Sequence, residues 1–126
     1  MDGDVAEFTW RKDEKLMKEY EKLSEVIYEN EIVFLFGFYL GRYAPELKQL
    51  DIRFRPAEEH PDAILLNVET GEMLNVNFES LSSNFREEGK DASKCDLIVC
   101  MLHDWEDCPV PVLELSTGKF YKPGSR

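Results

Sequence analysis

Between Pro61 and Glu79 the chain alternates in a way that commits it to a β-hairpin. The runs Asp62-Ala63-Ile64-Leu65-Leu66-Asn67-Val68 and Met73-Leu74-Asn75-Val76-Asn77-Phe78-Glu79 are joined by Glu69-Thr70-Gly71-Glu72, a Gly-containing link of hairpin length. In the second run the period of two is clean: Leu74, Val76 and Phe78 point one way, Asn75, Asn77 and Glu79 the other. One face is apolar and must be covered. The other lines up three oxygen-bearing side chains beside Asp62 of the first run. Such a face can hold a hard cation.

The flanking segments supply further strands and helices. Gln49 to Arg55 reads as a strand, with Leu50, Ile52 and Phe54 alternating against Asp51, Arg53 and Arg55, and Pro56 ends it. Ser83 to Ala92 is polar, contains Gly89, and suits a helical turn or loop. Lys94 to Leu102 reads as a strand covered on both faces, because its centre, Leu97-Ile98-Val99, is unbroken by any polar residue. Pro109 and Pro111 bracket a break; Val112 to Leu115 is expected to add a last short edge strand, and Lys119 to Arg126 to fray. Towards the N-terminus, residues 12–29 repeat Leu16, Tyr20, Leu23 and Ile27 at helical spacing among Lys and Glu. The apolar run Ile32 to Leu40 is far too short to span a bilayer. Asn30 as an N-cap, Glu31 in the first turn and Pro45 beyond the end predict a helix over 31–43. The order of elements predicts an α/β fold, one domain over residues 1–126, with a three-layer arrangement around a sheet of mixed direction.

A chain of 126 residues with 43% apolar residues can bury one real core. Its formal charge of −11, from 15 basic and 26 acidic residues, opposes broad contact with nucleic acid, whose affinity comes from Lys and Arg neutralising phosphates. Nucleic-acid contact by the isolated domain is therefore expected to be weak: local, bridged by a cation, or supplied by another subunit of a homo-oligomer or by a protein partner. Much of the acidic excess serves solubility. The three cysteines, Cys95, Cys100 and Cys108, are odd in number and follow no signal peptide, so a reduced, cytoplasmic protein with no membrane attachment is expected. Together with His103 they make four soft ligands in a short stretch. The five-residue step from Cys95 to Cys100 would put them on opposite faces of a strand, and no Cys-x-x-Cys is present, so buried thiols are expected instead of zinc.

Pro61-Asp62 followed by Asn77-Phe78-Glu79 resembles the paired motifs of the PD-(D/E)xK nuclease superfamily, the restriction-endonuclease-like fold. In that family a Pro-Asp on one strand and a Glu-x-Lys on the next position Mg²⁺ and an attacking water. Ser82-Ser83-Asn84-Phe85, Lys94-Cys95-Asp96-Leu97-Ile98-Val99-Cys100 and His103-Asp104-Trp105 are similar to segments of an uncharacterised branch of the same superfamily, which extends the resemblance over residues 31–105. It implies a restriction-endonuclease-like mixed β-sheet flanked by helices, and a divalent-metal-dependent phosphodiester hydrolase using Mg²⁺ or Mn²⁺. Asp62, Asn77 and Glu79 occupy the catalytic positions, with Asp62, Glu79 and the helix residue Glu31 as metal ligands. The chain departs from the motif twice: Asn77 replaces the first acid and Glu79 stands in the Lys position. Activity is accordingly expected to be weak or lost. The alternative is an inactive nuclease fold that serves protein interaction or assembly. Arg53, Arg55, Lys90 and Lys94 are candidates for a migrated catalytic cation, His60 and His103 for a general base or a structural histidine, and Trp105 for base stacking or a cap on the core.

Overall fold

A computed structural model describes residues 7, 9–10, 12–23, 29–43, 47, 50–56 and 60–124. The hairpin forms as the alternation requires. Strands β2 (Ala63–Leu66) and β3 (Met73–Leu81) pair antiparallel, with Ala63 opposite Val76 and Leu65 opposite Leu74. Their link is closed by Asn67, whose Oδ1 accepts from the Glu69 and Thr70 amides, and by Gly71, whose φ of 79° an L side chain rarely adopts. Strand β1 (Asp51–Phe54) runs antiparallel to β2 at the edge of the sheet.

After β3 the chain crosses over through the short helix α3 (Ser83–Glu87) and a 3₁₀ turn (Ala92–Lys94) into β4 (Leu97–Leu102), which lies parallel to β3. Strand β5 (Val112–Glu114) continues parallel to β4. The sheet thus has six strands in the order β1-β2-β3-β4-β5-β6 and mixed direction. With helices beside it, the chain is a mixed α/β fold.

The last strand corrects two expectations. Lys119–Tyr121 is not frayed but forms β6, and it pairs antiparallel with β5, so β5 is an inner strand. The reason lies in Thr117-Gly118. Gly118 takes a φ of 74° and its amide donates to Glu114 O at 2.8 Å, which closes a tight hairpin.

Helix α1 (Glu14–Leu23) starts at Asp13, whose Oδ1 accepts from the Lys15 and Leu16 amides as an N-cap. The expected continuation to residue 29, with Ile27, lies partly outside the described residues. Helix α2 spans Glu29–Tyr43 and so begins two residues before the expected start; Asn30 is inside the helix, not its cap. Ile32 and Phe36 of α2 are fully buried, and their core takes Ala63, Leu65, Val76, Phe78, Leu97, Val99 and Leu113 from the sheet. Ile52 of β1 and Leu50 just before it join this core, whereas Phe54 is 57% exposed.

The alternate residues of β4 face a second core on the other side, where Ile98 and Cys100 meet Phe85 of α3 with Cys95, Cys108, Val110 and Val112. Cys95 and Cys100 therefore share a face, contrary to the expectation from strand parity. Cys95 precedes β4, so alternation does not apply to it. Burial pushes the Cys95 and Cys100 thiols up to about 12. Among the described residues no helix is long and apolar enough to cross a membrane.

Candidate functional site

Asn77 and Glu79 are on the face of β3 turned away from α2, the alternate face to Val76 and Phe78, and both are buried. Asp62 stands just before β2. Its Oδ2 accepts the Phe78 amide at 2.8 Å, the donor that would otherwise be left open where the antiparallel ladder ends at a proline. Pro61 follows His60 through a cis peptide bond. His60 turns its Nδ1 to within 2.9 Å of Asn77 Nδ2, with its ring edge-on to Phe85. Asn77 Nδ2 is the donor of this pair and Nδ1 the acceptor. His60 Nε2 and Asn77 Oδ1 are both buried with no partner.

Lys90 completes the cluster, and local backbone chemistry explains how. After α3, Gly89 adopts a φ of 69°; its amide donates to Arg86 O at 3.0 Å and the Lys90 amide to Phe85 O at 3.3 Å. This is a Schellman ending, which reverses the chain immediately after the helix. The reversal directs Lys90 back over the sheet, where its Nζ lies 2.6 Å from Glu79 Oε2 and 3.2 Å from Glu88 Oε1. Glu29, in the first turn of α2, reaches the same place and hydrogen-bonds Asp62. Glu31, the helix acid named from the resemblance, is exposed. Two residues along an α-helix turn the side chain by roughly 200°, so only one of these two glutamates can face Asp62.

The electrostatics follow from burial. Burial raises the Glu79 carboxyl to about 8, against the pull of Lys90. Glu88 is lowered: its partial burial acts upward and is outweighed by its hydrogen bond to Glu79 and the charge of Lys90. Lys90 is raised, because the Glu79 hydrogen bond and charge outweigh its own burial. A close Lys90–Glu79 contact and an elevated Glu79 pKa pull in opposite directions. They are reconciled if the two glutamates share one proton, held on Glu79, while Glu88 and Lys90 carry the charges. Glu29 is raised by partial burial and then by Asp62.

The structure therefore gathers Asp62, Asn77 and Glu79 with Lys90, Glu29, Glu88 and His60. The other candidates lie elsewhere. Arg53 makes an exposed 3.8 Å contact with Asp51 and donates to Ile52 O at 3.2 Å, and Lys94 is exposed. Arg55 donates its amide to Asp62 O, and its Nε is buried without a partner. His103 belongs to a separate knot at the far end of β3, 2.7 Å from Ser82 Oγ. Trp105 packs on Phe85 beneath Arg86, as a cap on the second core.

Glu29 and Glu88 had no signal in strand alternation. Lys90 had one, since Gly89, one residue past the helix cap Glu88, marks such a reversal. Among the described residues, no three His, Cys, Asp or Glu side chains are set out to hold a metal ion. Comparison with protein-family models, curated proteins and solved structures finds no match to this chain.

Proposed function

We propose that the chain is a restriction-endonuclease-like domain whose cluster around Asp62 and Glu79 performs divalent-metal-dependent phosphodiester hydrolysis at a low rate. One observation carries the reading: a lysine from outside the second motif, Lys90, sits on Glu79 in the cluster that holds Asp62, so two acids and one cation meet where the strand motif alone has no Lys. Pro61-Asp62 just before β2 and Asn77-Phe78-Glu79 within β3, at neighbouring strands of a mixed sheet flanked by helices, agree with it.

The donors are all oxygens, as Mg²⁺ and Mn²⁺ prefer: Asp62, Glu79 and the unpaired Oδ1 of Asn77, with Glu29 beside them. Their chemistry fits such an ion, with Asp62 and Glu79 as the charged ligands. A bound divalent ion would lower the pKa of a water and offset charge on the phosphoryl group. Lys90 would place a second positive charge at the same centre. Glu79 must first give up its proton and loosen from Lys90, so metal affinity should rise with pH through about 8.

A specific observation favours the second reading, an inactive fold kept for interaction or assembly. With Asn77 neutral and Lys90 already paired, the cluster balances its own charge without a metal. Thermal melts with and without Mn²⁺, on both sides of pH 8, together with a plasmid-nicking assay, separate the two. The hydrolase reading expects a rise of a few degrees that grows with pH, lost in Asp62→Asn, and nicking that Lys90→Met abolishes while the melting shift remains. No Mn²⁺ effect at either pH would leave only the second reading.

A further inference from the structure

Asn77 brings an amide to a position where the resemblance calls for an acid, and an amide has two unlike ends. Its carbonyl oxygen can join the oxygen ligands of a hard cation, whereas its NH₂ group only donates hydrogen bonds and would repel one. The two ends are nearly the same in shape, so packing does not choose between them and hydrogen bonds must. At Asn77 the choice falls to a single bond. Nδ2 donates to His60 Nδ1 at 2.9 Å, and the side chain makes no other hydrogen bond among the described residues. Oδ1 is left without a partner on a side chain that is fully buried, an arrangement that costs stability and that a ligand at Oδ1 would relieve.

His60 is held in a way that suits an anchor. Its ring stands edge-on to Phe85 of α3, with centroids 5.8 Å apart. It precedes by two residues Asp62, whose Oδ2 accepts the Phe78 amide. The segment His60-Pro61-Asp62 therefore grips two consecutive residues of β3, the side chain of Asn77 and the backbone of Phe78.

We infer that His60 is a positioning residue for the metal: by accepting from Asn77 Nδ2, it keeps Oδ1 and not the NH₂ group as the end of Asn77 offered to the divalent ion that Asp62 and Glu79 bind. The inference rests on the hydrolase reading and adds to it the residue that makes an amide serviceable there. A carboxylate needs no such partner, because its two oxygens are equivalent. Without His60, nothing described prevents Asn77 from turning its NH₂ group to the ion.

Mn²⁺ affinity, measured by titration calorimetry above the Glu79 titration that burial moves to about 8, tests this. Melting curves of the metal-free proteins show that each variant folds. His60→Phe keeps a ring against Phe85 and removes the acceptor; His60→Leu does so in less space, should Phe disturb the packing; His60→Asn puts an oxygen close to where Nδ1 stood. The expected result is a loss of about tenfold to a hundredfold in Mn²⁺ affinity in His60→Phe or His60→Leu, as is usual when the partner of a metal ligand is removed. His60→Asn should restore most of it. Combined with Asn77→Asp, whose carboxylate has no wrong end, the same His60 substitutions should leave Mn²⁺ affinity unchanged. Undiminished affinity in His60→Phe and His60→Leu overturns the inference. So does an equal loss with and without Asn77→Asp, which would mean that His60 supports the fold or binds the ion itself. A parent that binds no Mn²⁺ overturns the hydrolase reading as well, so the two failures are told apart.

Discussion

At the scale of single residues, Glu79 is the side chain whose state governs the cluster. In the unfolded chain it titrates near 4.5, and in the folded protein burial moves it to about 8. Between those values the native state binds the extra proton, so this residue's contribution to stability falls as pH rises from about 4.5 to 8 and is constant outside that window. Glu79→Gln imitates the protonated form and removes the fall. The difference in unfolding free energy between parent and variant, measured by urea titration across this range, should change with a slope of at most about 1.4 kcal/mol per pH unit. Equal pH dependence in the two proteins would mean that Glu79 is ionised throughout. Asn77 fits the same picture. A fully buried, neutral amide can pair with a ring nitrogen of His60, whereas an acid there would need a charged partner.

At the scale of elements, the joint between β3 and the exit of β4 holds the crossover in place. Ser82 follows β3, and its buried Oγ accepts the amides of Asp104 and Trp105 at 2.9 and 3.2 Å and meets His103 Nδ1. Asp104 answers by accepting the amide and hydroxyl of Ser83 at the first turn of α3. These bonds set where α3 begins, and hence where Gly89 reverses the chain and Lys90 lands. Ser82→Ala leaves two backbone donors without an acceptor and should destabilise the protein by about 2–3 kcal/mol. Urea denaturation checks this, and a loss below half that figure would mean that water replaces the hydroxyl. Glu114, buried on β5, anchors the same region by accepting the His103 amide, which places this pair in the scaffold and apart from the acidic cluster.

At the scale of the whole molecule, the charge of −11 and the position of the cluster act together. Lys90 is largely occupied with Glu79 and Glu88, so few cations remain near Asp62 to neutralise phosphates. Duplex DNA should bind weakly at physiological ionic strength, and Mn²⁺ should strengthen it by screening the carboxylates. Fluorescence anisotropy reads this directly. Tight binding without a divalent ion would show a positive surface that the described residues do not present.

The amino-acid sequence by itself determined the hairpin, the doubly covered β4 and the α/β class, because alternation and unbroken apolar runs report burial wherever an element is regular. It also placed Asp62, Asn77 and Glu79 together, since neighbouring strands of one hairpin have a defined register. Where regularity stops, local pattern stops too. Cys95 misled because it lies just outside its strand, and β6 was hidden because three residues are too short a run to show alternation and are held by the Thr117-Gly118 turn and by pairing with β5. Only the tertiary structure decided that Glu29 and not Glu31 meets Asp62, that Lys90 and not Arg53 or Lys94 reaches Glu79, and that burial raises the Glu79 carboxyl. Each depends on distances between elements far apart in the chain, and on how much water the packed sheet and helices leave around a carboxylate.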